Sequence, residues 1–427
     1  MSVDETVFES VRDILSEVQT RGNDPVHEFT SRFDDVERED VRVSDDENAA
    51  AGDDLSQRER SRIDNTVENV RAFHVKQREH LSGFEREFQP GITMGQRVLP
   101  IETAGGYIPG GRHPLVATSA MTIVPADVAG VDRIFACSPP QADGTLQPAQ
   151  QYAMDGGWAG LDEVYCIGGA QAIGAMAYDT ETVPDVDLLE GPGNVFVTEA
   201  KRRVFGHVRV DFIAGPTEVL IVADDTADSD MVATYLLAYA EHEPNSRAVL
   251  IALSRDLAAA TTGEIGAQSP TIETEETARK SCADNGELVV EEKSEAINLT
   301  NDYAMEHVQI MIDDARSYVD DLHNSGSLFL GHHAPLIFGD KAVGTNHCLP
   351  TLGVALYFSG IWVGTYLKTP TYQELTLEGA ARIVPRAAAI FDIEGTHAHQ
   401  IVAEKGSCST WTSNGPAAAD GHPDTEN

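Results

Sequence analysis

Basic residues are scarce in this chain. Of 427 residues, 30 are Lys or Arg against 69 Asp or Glu, a formal net charge of −39. Such a chain cannot neutralise a row of phosphates, which excludes a dedicated nucleic-acid binder, and an anionic membrane surface would repel it. Cysteine is also sparse. Cys137, Cys166, Cys282, Cys348 and Cys408 make an odd set of five with no CxxC pair. That argues against a disulfide framework and a thiolate zinc site, and for a reducing, cytoplasmic location. No apolar run reaches the roughly 18 residues of a membrane span. Met1-Ser2-Val3-Asp4-Glu5 lacks the basic stretch and apolar core of a secretory signal. HExxH and GxGxxG are absent too.

Hydrophobic residues make up 41%, enough for packed cores. The length suggests about three domains at about 150 residues each. The acids are spread along the chain, as in Asp34-Asp35, Asp53-Asp54, Asp224-Asp225 and Asp320-Asp321. This is the pattern of a high-salt cytoplasm, where carboxylates hold water and ions while salt screens their repulsion.

Residues 5–33 and 56–81 carry helical stripes, the first through Val7, Val11, Ile14, Leu15 and Val18. Residues 34–60 read as exposed loop. From residue 105 short apolar runs alternate with helical segments. Strands are expected at 133–137, 163–167, 219–222, 248–253, 307–312 and 327–330. Residues 268–290 are polar, 370–405 read as helical, and the last twenty or so as a disordered tail. The alternation predicts parallel sheets covered by helices. No internal repeat is visible.

Three constellations could carry chemistry. Glycine loops at 105–111, 168–169 and 191–194 lie where strands meet helices, and free N–H groups there favour anions. Each alone reads as an ordinary turn; three together point to a dinucleotide or phosphate. Tyr239 and His242 share one helical face, His347 follows Asp340 by seven residues, and His397 and His399 lie near the end. Imidazoles plus a carboxylate suit zinc, but spacing alone does not separate them from ordinary histidines. Glu306-His307 could serve two proton transfers of different demand. Adjacent strand residues point apart, so the pair can share a site only at a bend, and the start of a strand after Tyr303-Ala304-Met305 offers one.

The motifs Tyr107-Ile108-Pro109-Gly110-Gly111, Gly168-Gly169-Ala170-Gln171-Ala172, Gly191-Pro192-Gly193-Asn194, Ala214-Gly215-Pro216-Thr217-Glu218, Ala240-Glu241-His242, Glu306-His307 and Gly344-Thr345-Asn346-His347 occur in this order. Together they closely resemble the histidinol dehydrogenase family over most of residues 5–405. The resemblance implies an α/β fold with two Rossmann-like parallel-sheet domains and a small helical C-terminal arm, in an intertwined homodimer. Residues 1–106 with 218–355 would form a discontinuous domain bearing the metal and catalytic groups. Residues 107–217 would contact NAD, 356–405 would form the arm, and 406–427 the tail. The implied reaction oxidises a primary alcohol to a carboxylate by two hydride transfers, with NAD and zinc. By this likeness Tyr107, Gln171 and Asn194 contact NAD. His307 is the base for the alcohol step, and Glu306 activates water for the aldehyde step. Tyr239, His242, Asp340 and His399 occupy the zinc positions, the last donated across the dimer. Thr217, His347 and Glu394 fall at substrate contacts.

This chain departs from the family's usual pattern at several points. Tyr239 replaces a glutamine, and a neutral phenol is a poor zinc ligand. Three protein ligands plus solvent is one alternative, and a binding protein that has lost its metal is another. Met305, Gln309, Leu336 after Pro335, Lys341 and Arg112-His113 also differ. These changes resemble the family's sulfopropanediol 3-dehydrogenase branch. Loss of an acid at Leu336 and gain of Arg112 and Lys341 favour an anion over an ammonium. The expected substrate is an anionic diol such as 2,3-dihydroxypropane-1-sulfonate, with L-histidinol as the alternative.

Overall fold

The short apolar runs become the strands of two sheets in the computed structural model, which describes residues 5–110, 115–155, 160–213 and 215–405. Arg112 and the expected tail lie outside the described residues. The first sheet is ordered Glu163–Cys166, Arg133–Ser138, Thr103–Tyr107, Leu188–Glu190, Arg209–Val210. The second is ordered Glu287–Val290, Arg247–Ala252, Glu218–Ala223, His307–Met311, Ser327–Leu330. Every pairing within these two sheets is parallel. The central strands are buried on both faces, which is why they read as continuous apolar runs. Numbered along the chain, both sheets have the spatial order 3-2-1-4-5. The topology thus recurs although no sequence repeat announces it. Open parallel sheets of this kind place ligands beyond the carboxyl ends of the strands where the order reverses.

Several elements differ from expectation for local reasons. The helix expected over 5–33 is two, Glu5–Arg21 and Asn23–Asp34, broken at Gly22 with φ 65. Val11, Ile14, Leu15 and Val18 bury as predicted, in the core of the first sheet. The presumed loop 34–60 contains a short helix, Asp45–Ala50, held by a reciprocal Ser44–Glu47 cap. The polar stretch 268–290 hides the helix Glu275–Asn285 and the edge strand Glu287–Val290, whose residues are exposed or half-buried. The expected helical segment from 370 opens with a strand, Thr371–Leu375.

The chain divides into two units. One holds both five-stranded sheets and comprises the chain up to His80 together with Pro100–Leu367. The other combines Leu81–Leu99 with the chain after Leu367. In it, Ile92–Gln96 pairs antiparallel with both Phe84–Gln89 and Thr371–Leu375. Helices Leu377–Ile393 and His397–Lys405 follow, and Arg382 Nη1 donates to the Pro90 carbonyl at 3.1 Å. This differs from the expected grouping of 1–106 with 218–355. The first helix packs on the first sheet, and 81–99 joins the C-terminal segment by strand pairing. Every residue of Phe84–Gln89 is exposed, so no apolar alternation revealed that pairing.

Candidate active site

At the carboxyl edge of the first sheet, loops leave the two central strands side by side. Gly191 has φ +99, and a Cβ there would lie 2.2 Å from the Tyr107 carbonyl oxygen. Only glycine lets the loops approach this closely. The Tyr107 hydroxyl accepts a hydrogen bond from the Gly169 amide at 3.1 Å, joining the glycine loop at 168–169. Burial pushes this phenol up to about 12, so it stays neutral. Asn194 caps the helix Val195–Val204, its Oδ1 accepting from the amides of Phe196 at 3.0 Å and Val197 at 3.1 Å. Gln171 is 1% exposed, and neither amide atom has a hydrogen-bond partner among the described residues. An unsatisfied buried amide is costly, so Gln171 is poised for a ligand or water.

The second cluster sits at the amino edge of the second sheet. Ala304, at φ 46, ends the helix Lys293–Tyr303 and turns the chain. His307 then opens its strand while Glu306 precedes it, which supplies the bend that lets the pair share a site. Glu306 Oε2 accepts from Thr217 Oγ1 at 2.8 Å and from the Glu218 amide at 2.9 Å. His307 Nδ1 lies 3.4 Å from that same oxygen and donates to the Glu218 carbonyl at 3.2 Å. Its Nε2 lies 3.4 Å from Asp340 Oδ1. The ring is stacked against Phe329, with centroids 6.0 Å apart.

The electrostatics follow from this geometry. Burial opposes a charged His307, but the Glu306 and Asp340 carboxylates outweigh it and hold the imidazole up at about 10. Burial also opposes an ionised Asp340, yet the His307 hydrogen bond and charge keep it below its ordinary value. Tyr239 is pushed up by burial and by both carboxylates, and its neutral hydroxyl donates to Asp340 Oδ2 at 3.1 Å. His347 Nδ1 meets the Asp340 carbonyl at 2.7 Å, and a carbonyl only accepts, so Nδ1 bears the proton. Nε2 therefore accepts from Thr118 Oγ1 at 2.8 Å. Burial holds this imidazole down at about 4, hence neutral.

Asp340 lies on the π-helical turn Gly339–Val343. The helix Gln57–Glu79 anchors that turn from outside, Thr66 Oγ1 donating to the Lys341 carbonyl at 3.0 Å and Asn69 Nδ2 to that of Ala342 at 2.8 Å. The Lys341 side chain is exposed and shares a cavity of about 200 Å³ with Arg62 and Ala117. Leu336 is fully buried in the same apolar cluster as Tyr239.

Of the residues singled out in the sequence, Thr217, Tyr239, Glu306, His307, Asp340 and His347 converge here. His242 closes the group, its ring 5.9 Å from that of Tyr239. Glu394 and His399 belong to the second unit, where the His399 ring lies 5.4 Å from Phe391. Among the described residues no three His, Cys, Asp or Glu side chains are grouped to hold a metal. His242 and Asp340 are donors that suit zinc; Tyr239, neutral and already donating to Asp340, is not. Sequence reasoning gave no role to Glu218, whose carboxyl accepts from the Leu352 amide at 3.1 Å and is pushed up by burial to about 7. An acid leading an otherwise apolar strand was the available signal. Thr118 had none, being 229 residues from the histidine it meets.

The sequence pattern described as histidinol dehydrogenase matches residues 1–405. The chain belongs to the histidinol dehydrogenase family. That family comprises NAD-dependent dehydrogenases acting on a CH–OH group. The chain is 42% identical to a histidinol dehydrogenase homolog of Shouchella clausii, with 92% of each chain covered. It is 40% identical to a histidinol dehydrogenase of Methanosarcina mazei, covering 92% of this chain and 90% of that one. The crystal structure of histidinol dehydrogenase from Elizabethkingia anophelis superposes with a TM-score of 0.90 at 32% identity, covering 97% and 94% of the two chains. Among the described residues no helix is long and apolar enough to cross a membrane.

Proposed function

We propose that this histidinol dehydrogenase family member oxidises a primary alcohol to a carboxylate through an aldehyde, by two successive hydride transfers to NAD. The observation that carries this reading is the pairing of Glu306 and His307, 3.4 Å apart, on one side of Asp340. An alcohol step needs a group to take the hydroxyl proton, and an aldehyde step needs one to activate water. Two proton-handling groups at one site serve both without releasing a reactive aldehyde. Thr217 and the Glu218 amide aim the Glu306 carboxylate. His307 takes the alcohol proton once the charge of a neighbouring carboxylate is offset, because together they hold it protonated. Tyr107, Gln171 and Asn194 would hold NAD beyond the first sheet, where the strand order reverses.

A zinc ion held by His242, Asp340 and a partner subunit's C-terminal segment would orient the substrate hydroxyl and offset the Asp340 charge. The proposed dimer takes its support from the second unit, where Ile390, Ile393 and Val402 are 53%, 80% and 70% exposed. His399 lies in that same unit. We place the enzyme in a salt-rich cytoplasm, on its dispersed acids and its free cysteines Cys137, Cys166, Cys282 and Cys348.

For the substrate we propose an anionic diol such as 2,3-dihydroxypropane-1-sulfonate. The support is the pair of departures noted in the sequence, the lost acid at Leu336 and the gained cation at Lys341, which adjoins Asp340. The second reading, L-histidinol, is favoured by the names of relatives about two-fifths identical. Supplying each substrate separately with NAD in high salt, and following NADH, decides between them. The proposal requires about two NADH per sulfonated diol. One NADH with free aldehyde, or turnover of histidinol alone, refutes it. A metal-free binding protein would turn over neither and carry no stoichiometric zinc.

A further inference from the structure

Behind the Gly191–Asn194 loop lies a buried charge pair that the chemistry above does not use. Lys201 and Asp211 are 2% and 7% exposed, with Nζ 2.5 Å from Oδ1. Stability alone does not explain such a pair, because well-packed apolar side chains commonly serve a core as well or better. Its local contacts are specific. Lys201 Nζ donates to the Gly191 carbonyl at 2.8 Å. Asp211 Oδ2 accepts from the Gly191 amide at 2.8 Å. Both backbone polar groups of one residue are therefore held by side-chain charges. Asp211 Oδ1 is itself fixed by the Phe212 amide at 2.6 Å, and Lys201 rides on the helix that Asn194 caps.

The position so held has little freedom, since Gly191 sits at φ +99 against the Tyr107 carbonyl. The residue before it is restrained as well. Glu190 is fully buried, and its carboxyl is bonded to the Tyr366 hydroxyl, which also donates to the Thr122 carbonyl at 3.0 Å. Burial, and then the Asp211 charge, push Glu190 well above its ordinary value. The Tyr366 hydroxyl thus ties the Glu190 carboxyl to the Thr122 carbonyl. Lys201 and Asp211 remain directed at the two backbone groups of Gly191, one in each of the peptide units that flank it.

We propose that Lys201 and Asp211 are positioning residues for NAD: by clamping both backbone groups of Gly191 they aim the Gly191–Asn194 loop at the cofactor, without touching it. The inference rests on the reading that this loop holds NAD. The test uses the full chain and NAD itself. Lys201→Met with Asp211→Leu removes both charges together and leaves no lone buried ion. The NAD Kd of this double variant should rise about 10- to 100-fold, the scale of a misplaced binding group. The loss should fall on the Kd and KM for NAD, with kcat at saturating NAD reduced far less and Tm lowered by only a few degrees. Lys201→Gln with Asp211→Asn keeps a donor and an acceptor and should recover most of the affinity. Asn194→Ala reports on the underlying reading and should weaken NAD by itself. An unchanged NAD Kd in the apolar double variant, with Asn194→Ala weakened, overturns the clamp. Unchanged affinity in both means that the nucleotide reading of the loop has failed instead. A double variant that does not fold, or that loses NAD affinity, substrate affinity and Tm in step, assigns the pair to the core and also overturns the proposal.

Discussion

Glu306→Gln separates the two oxidation steps. The substitution keeps the volume and an oxygen that can accept from Thr217 and the Glu218 amide, at 2.8 and 2.9 Å in the wild type. What it removes is the ability to take a proton from water or from the aldehyde hydrate. General-base catalysis is worth about 100- to 10,000-fold, so aldehyde oxidation should fall by that factor. The alcohol step, assigned to His307, should fall much less. Thr217→Val provides a graded control. It deletes one hydrogen bond to a charged acceptor, worth about 1.5–3 kcal/mol or about 10- to 150-fold. The Glu218 amide still holds the carboxylate, so the loss should lie near the low end. Stopped-flow absorbance of NADH measures both steps: the wild type should form about two NADH per substrate, and Glu306→Gln should form one quickly and then stall. Equal losses on alcohol and aldehyde, or a normal second NADH, would refute the division of labour.

Lys341→Met should raise the KM for the sulfonated diol by about 10- to 150-fold and leave the KM for NAD nearly unchanged, the size of one lost charged hydrogen bond; a change confined to NAD contradicts the anion site. Glu218 keeps its proton to about 7 in the folded chain against 4.5 ordinarily, so folding binds a proton between those values. That contribution to stability is present at acid pH and lost as pH rises through about 7, so Glu218→Gln should gain on the wild type between about pH 5 and 8 in urea unfolding. A pH-independent difference would be the wrong outcome. Mixing inactive His307 variants with inactive His399 variants under subunit exchange should restore part of the activity if His399 serves the neighbouring subunit, and no recovery despite proven exchange counts against a shared site.

Much of the first unit was legible because its central strands are buried on both faces. Val219 to Val222 and Val308 to Ile312 could hardly be read otherwise. The exposed strands were not legible, since Phe84–Gln89 and Glu287–Val290 show no apolar run. The convergence of Thr217, Glu306, His307 and Asp340 followed from family motifs. The bend itself was expected after Tyr303-Ala304-Met305, but the positive φ of Ala304 that makes it has no sequence signal, because alanine rarely adopts one. The clamp on Gly191 was equally invisible: Lys201 and Asp211 look like ordinary surface charges until the fold buries them. Long-range pairings such as His347 with Thr118 are set by topology alone.

The two sheets share one strand order yet present their candidate site residues at opposite ends. The glycine loops extend from the carboxyl edge of the first, whereas Glu218 and His307 are the leading residues of strands in the second. The register His307↔Val219 and His307↔Ser327 fixes the His307 imidazole between two neighbouring strands. The proton-handling groups thus inherit the stiffness of a buried sheet. Leu336 and Lys341 lie instead on the connection after the last strand, Ser327–Leu330, beyond the ladder. The same connection carries Asp340, which reaches back to His307 and Tyr239. If Leu336 and Lys341 do select the substrate as proposed, a new substrate would have to be sought by altering those two positions while leaving Asp340 between them in place.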